Sequence, residues 1–177
     1  MYRDNTLIPT EAIRLAALGS LAEGDKQYAA LASDIRYFVA RVAGPSLDLL
    51  GTSLELLSYE ELAVPVDGGT IQDSSVLQIT DSGREMFHTL MTSNVRAPVN
   101  DVSKLVIALK MRFMHLLSED DKRDQVDMLS EMCEVELARL RELRGGYDRE
   151  PLAQWLDLEI AQLNERFDWF RNLDAES

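Results

Sequence analysis

At 177 residues, 46% of them hydrophobic and 28% charged, the chain is long enough for one or two packed cores and too apolar to be a disordered polymer. A net charge of −13 excludes an overall basic surface, and acids outnumber bases in both halves: 7 Lys+Arg against 13 Asp+Glu over residues 1–99, and 11 against 18 over residues 100–177. The single cysteine, Cys133, excludes an internal disulfide, and no stretch approaches the eighteen or so uncharged residues of a membrane span. Met1–Asn5 lacks a charged-then-apolar secretion signal, so a cytoplasmic protein is expected.

In chain order, Thr10-Glu11-Ala12-Ile13 reads as a capped helix start, with Ile13, Ala16, Ala17, Leu18 and Leu21 as its stripe and Gly24 as its stop. A second helix is predicted from about Lys26 to Arg41, with Tyr28, Leu31, Ile35, Phe38 and Val39 on its apolar face; Gly44-Pro45 breaks it. Ser46 is placed to cap a third helix, running from Leu47 to Leu62 through Leu50, Leu54 and Leu57. Val64-Pro65-Val66 is extended, and Asp67-Gly68-Gly69 reads as a hairpin turn, because glycine tolerates the positive φ such turns need. Val76–Ile79 then runs as a strand straight into a helix start, where Thr80 or Asp81 can accept the first free amides. That fourth helix runs from Gly83 to about Ser93 with Met86, Phe87, Leu90 and Met91. Helix, strand, glycine turn, strand and helix is the order of a winged helix.

Asn94–Asn100 reads as a linker, and three further helices follow at roughly Asp101–Leu117, Asp120–Arg144 and Glu150–Leu173. Ser118-Glu119-Asp120-Asp121 is a helix start with acids in its first turn, and Gly145-Gly146 is a stop. Leu129, Cys133 and Leu140 fall on a coiled-coil pattern interrupted by Glu136. The last helix carries Trp155, Leu163, Phe167 and Phe170 in an apolar arc too wide for one neighbouring helix to cover. The expected fold is mainly α with a small β-hairpin. It comprises a winged helix-turn-helix domain over residues 1–94 and an antiparallel helical dimerisation domain over residues 101–177. Leu129, Cys133, Leu140, Trp155, Leu163, Phe167 and Phe170 are the expected dimer contacts, since a symmetric second copy is the commonest cover for such a face.

Leu18-Gly19-Ser20-Leu21-Ala22-Glu23-Gly24 followed by Tyr28 resembles the opening of PadR-type transcriptional regulators. Ile79-Thr80-Asp81-Ser82-Gly83-Arg84-Glu85 resembles the end of the PadR wing and the helix after it, and Trp155-Leu156 and Trp169-Phe170 are similar to its helical C-terminal domain. Length and layout are most similar to the AphA-like, virulence-activator branch. The resemblance implies a homodimer whose winged helices bind operator DNA, with Ser46, Thr52, Ser53, Thr70, Gln72 and Arg84 as contacts. The chain departs from the family pattern at Glu61, where a glycine is expected.

The charge distribution supports a second reading. No Lys or Arg occurs between Arg41 and Arg84, and those 42 positions hold Asp48, Glu55, Glu60, Glu61, Asp67, Asp73 and Asp81. A regulatory protein-interaction module that has lost DNA binding, and meets a basic protein or another regulator through its acidic face, has the same architecture. Either way no enzyme is expected, because no nucleophile elbow, phosphate loop or dinucleotide fingerprint is present. His88, His115 and Cys133 lie on separate predicted helices, so neither a metal nor any other cofactor is expected. Tyr147, Trp155, Phe167, Trp169 and Phe170, with Met111, Phe113 and Met114, are read as dimer and domain core rather than as the lining of an effector pocket.

Overall fold

The computed structural model describes residues 9–44, 50–95 and 99–173, and it divides into two compact units. The first comprises residues 1–94 and 99–117. Its centre is α1 (Pro9–Ala22), whose residues Ala12, Ile13 and Leu15 to Leu21 are all buried. A helix that is apolar on every side must be covered on every side. Here α2 (Tyr28–Val42), α3 (Leu50–Tyr59), α4 (Asp81–Met91) and α5 (Asp101–Phe113) all pack on it. Gly19 lets α5 approach closely: a Cβ there would fall 2.4 Å from the Phe113 ring. Phe113 in turn meets Phe87 of α4 edge-on, at 6.1 Å between ring centroids. It is therefore core, as expected.

Three strands form one antiparallel sheet in the order β1-β3-β2, with β1 at Lys26–Gln27, β2 at Ala63–Pro65 and β3 at Val76–Ile79. The β2–β3 hairpin matches expectation. By contrast β1 is a correction, because the position read as a helix start is a strand. Two residues are too short to show an alternating pattern, and only pairing reveals them: Lys26 lies opposite Leu77 and Gln27 opposite Val76. The same pairing starts α2. Its N-cap Gln27 gives no side-chain cap; instead the Tyr28 and Ala29 amides donate to the carbonyls of Ser75 (2.8 Å) and Asp73 (3.2 Å).

The third helix ends at Tyr59, three residues before the predicted end. Leu62 N–H reaches back to the Leu57 carbonyl (2.8 Å), Glu61 N–H reaches that of Ser58 (3.0 Å), and Glu61 adopts φ +57°. This is a Schellman cap, sealed by the buried pair Leu57 and Leu62. Its left-handed position normally takes glycine, and a side chain there costs about 1 kcal/mol. Glu61, at the position where a glycine is expected from the sequence, thus adopts the left-handed conformation that glycine favours.

Thr80 caps α4 in line with the sequence, accepting the Gly83 N–H at 3.0 Å. Asn100 caps α5 in the same way through Ser103 N–H at 2.9 Å. A short 3-10 turn, Met114–Leu116, closes the unit. At 0% exposure, Lys110 is among the largest fully buried side chains of the described residues. Its ammonium donates to the carbonyl of Met91, the last residue of α4, and, at 2.7 Å, to that of Ser93 just beyond it.

The second unit joins residues 95–98 to residues 118–177. It is a helical hairpin of α6 (Glu119–Gly145) and α7 (Leu152–Asn172). Ser118 caps α6 by accepting Asp121 N–H at 3.1 Å, and the helix stops at the glycine pair. Arg144–Asp157 (2.8 Å) and Arg141–Asn164 (3.0 Å) tie the helices together in antiparallel order. No helix among the described residues is long and apolar enough to cross a membrane.

Candidate nucleic-acid interface

In a helix-turn-helix the third helix and the wing are the parts that enter DNA grooves. On α3, Leu54 and Leu57 face the core, leaving Glu55, Leu56 and Tyr59 exposed, with Glu60 and Glu61 just beyond; Tyr59 is 87% exposed. Thr52 and Ser53 lie on this helix, but their side chains, like the whole of Ser46, lie outside the described residues. Thr70 and Gln72 are exposed in the wing loop, residues 66–75. Two turns build that loop. Gly68, at φ +70°, donates to the Pro65 carbonyl, and Asp67 Oδ1 accepts Gly69 N–H at 3.0 Å. Ser75 Oγ accepts the Gln72 N–H (2.9 Å) and donates to the Thr70 carbonyl (3.3 Å). Thr70 and Gln72 are therefore brought together on one hydrogen-bonded loop. Arg84 is not with them: it lies beyond the far end of β3, exposed in the first turn of α4 at the base of the wing.

Electrostatics separate the cations of this unit into two groups. Arg14 is held by Glu60 (2.9 Å), Lys26 by Glu23 (3.7 Å) and Arg112 by Asp34 (2.7 Å), while Lys110 is buried. Arg36, Arg41, Arg84 and Lys104 are exposed, and none has a carboxylate partner among the described residues. Arg41 lies over the Tyr37 ring at 4.9 Å, which orients it without neutralising it. The acids form a second field. Tyr28, at the start of α2, has its hydroxyl pKa raised, first by burial and then by Glu55 of α3 and Asp73 of the wing. Helix and wing thus share one negative surface. Sequence reasoning placed Tyr28 on an apolar face and missed Tyr59 as a surface feature. Their surroundings emerge only once α3 ends early and the wing folds onto α2.

The family model described as "Putative AphA-like transcriptional regulator" matches residues 2–174, nearly the entire chain. The chain belongs to the AphA-like family. A search of curated proteins finds no match. The family is one of transcriptional regulators, and the first unit has the helices and three-stranded sheet of a winged helix.

The expected dimer contacts of this AphA-like chain fall into two sets. Leu129, Cys133, Leu163 and Phe170 are buried within a single chain, and Leu140 and Phe167 are half-buried. Trp155 is 52% exposed, and Leu152, Leu158 and Trp169 on α7 are exposed with it, as are Val135 and Leu143 on α6. Burial pushes the Cys133 thiol up to about 11, so it is an inert packing group at neutral pH. Among the described residues no three His, Cys, Asp or Glu side chains are grouped to hold a metal ion.

Proposed function

We propose that this protein is a PadR-type, homodimeric DNA-binding regulator in which arginines at the edges of the acidic segment supply the phosphate contacts. The observation that carries the reading is the sorting of cations in the first unit. Arg14, Lys26 and Arg112 are committed to internal ion pairs, whereas Arg36, Arg41 and Arg84 stand exposed with no carboxylate partner among the described residues. Cations left in this way on a winged helix are suited to phosphates, which dominate the affinity of such complexes. Ser46, Thr52, Ser53, Thr70 and Gln72 can then donate hydrogen bonds to phosphates or base edges. The dimer brings two winged helices to one operator. Since Leu129, Cys133, Leu163 and Phe170 are already covered, the surface offered to a second chain is that of Trp155, Leu158 and Trp169.

Duplexes tiled across the DNA upstream of the protein's own gene, titrated by fluorescence anisotropy, test the reading. One duplex should bind specifically. Arg36→Glu, Arg41→Glu and Arg84→Glu should each weaken it, and each lost contact should flatten the log–log salt dependence by about 0.9. An unchanged slope in all three variants would refute the assignment of the arginines. Light scattering at micromolar concentration should return twice the 20.0 kDa chain mass. A stable monomer would remove the dimer.

A further inference from the structure

In and beside the wing lie a valine pair and two carboxylates that the proposed DNA contacts do not use. Val66 N–H donates to the Val76 carbonyl (2.9 Å), so the two valines sit directly opposite each other at the mouth of the hairpin. Cross-strand valines normally pack on a core face, yet these remain 52% and 44% exposed. They line an open cavity of about 570 Å³ together with Asp25, Asp67, Thr70, Gln72 and Ser75. The cavity therefore combines aliphatic lining with two carboxylates. Asp25 is exposed and makes no ion pair among the described residues, and Asp67 commits one oxygen to Gly69 N–H. Among the described residues no cation lines the cavity, and the neighbouring Lys26 is paired with Glu23.

We infer that this cavity seats a lysine or arginine side chain from a cationic segment of a partner protein. The aliphatic stem of such a side chain lies against Val66 and Val76, as long charged side chains do on apolar surface. Its ammonium or guanidinium group reaches the carboxylates of Asp25 and Asp67, where charge-assisted hydrogen bonds are about twice as strong as neutral ones. A segment with several cations fits better than a single small amine, because the negative field continues beyond the cavity. Glu55 of α3 and Asp73 of the wing both act at Tyr28, and no Lys or Arg interrupts residues 42–83. Complementary charge of this extent speeds encounter and fixes orientation. The inference goes beyond the proposed function, and it stands or falls without DNA.

The test is an anisotropy titration of the full chain with a fluorescein-labelled peptide of eight alternating lysines and arginines, at physiological salt. Saturable binding is expected. The double variant Asp25→Asn/Asp67→Asn should weaken it at least tenfold. The Asp67→Asn change keeps a side-chain oxygen to accept Gly69 N–H, and Asp25→Asn alone is a second test that leaves the loop intact. Val66→Thr/Val76→Thr, which changes no charge, should weaken binding severalfold. Glu131→Gln/Glu134→Gln on α6 removes the same charge elsewhere and should leave the affinity within twofold. Absence of binding, equal loss in the α6 variant, or indifference to the valine pair would overturn the inference. Displacement of the peptide by spermidine at equal concentration would also overturn it, by assigning the cavity to a free polyamine.

Discussion

Replacing Lys110 with alanine should destabilise the first unit by about 3 kcal/mol, on the order of 10–20 °C in its melting temperature. The ammonium reaches two carbonyls, that of Met91 at the end of α4 and that of Ser93 two residues on, in a site with no solvent access. A helix end leaves its last carbonyls without partners, and a cation there also meets the negative end of the helix dipole. Removing the side chain leaves these acceptors without that donor and opens a cavity, at about 1–3 kcal/mol for each unsatisfied group. Lys110→Met keeps most of the stem and loses only the donors, so it should fall between wild type and alanine. A calorimetric scan showing alanine within about 1 kcal/mol of wild type would contradict this account.

The same site has a pH signature. Burial pushes the Lys110 amine down to about 7, against 10.5 for an ordinary lysine. Below pH 7 both folded and unfolded chains are protonated. Between 7 and 10.5 the unfolded chain binds the extra proton, so deprotonation favours the folded state and stability rises with pH. Wild type should therefore gain stability relative to Lys110→Met as pH climbs from about 7 towards 10. A flat difference would show that the ammonium stays charged in its carbonyl site.

Gly83→Ala should be nearly as damaging, at about 3 kcal/mol, although alanine is ordinarily the better helix former. A Cβ at this position would lie 2.1 Å from the Leu62 carbonyl oxygen and 2.7 Å from Ile79 Cγ1. The first contact is with backbone, so no rotamer change relieves it. The carbonyl is also engaged, accepting Thr80 N–H at 3.1 Å, while the Thr80 hydroxyl donates to the Glu61 carbonyl at 2.8 Å. Pushing α4 away therefore loosens the end of α3, the β2–β3 pairing and the α4 cap together. Thr80→Val, which removes only the hydroxyl, should cost about 1 kcal/mol. Chemical denaturation ranking Thr80→Val above Gly83→Ala in cost would refute the steric explanation.

These two sites show how differently parts of the molecule can be read from the chain. Gly83 is visible, since Ile79–Glu85 carries both the strand-to-helix junction and the family resemblance. The structure supplies its reason: threonine, glycine and the Leu62 carbonyl meet at one point. Ser118, Thr80 and the Gly145-Gly146 stop are equally legible, because caps and stops are local and their chemistry sits within three or four residues. Lys110 is illegible. A lysine inside Ala108-Leu109-Lys110-Met111 looks like an ordinary surface break in an apolar stretch, and its partners lie 17 and 19 residues away.

The candidate interface divides along the same line. By itself the sequence determined the winged-helix order, the helix starts that carry their own caps, and the absence of cations from residues 42–83. Periodicity, capping and charge are written in neighbouring residues. Tertiary structure alone decided that Lys26–Gln27 is a strand and that α5 packs on α1 and α2. It also decided that Arg14 and Arg112 are neutralised, while Arg36, Arg41 and Arg84 have no carboxylate partner among the described residues. Each of these depends on which distant groups the fold brings together, and no local pattern encodes that.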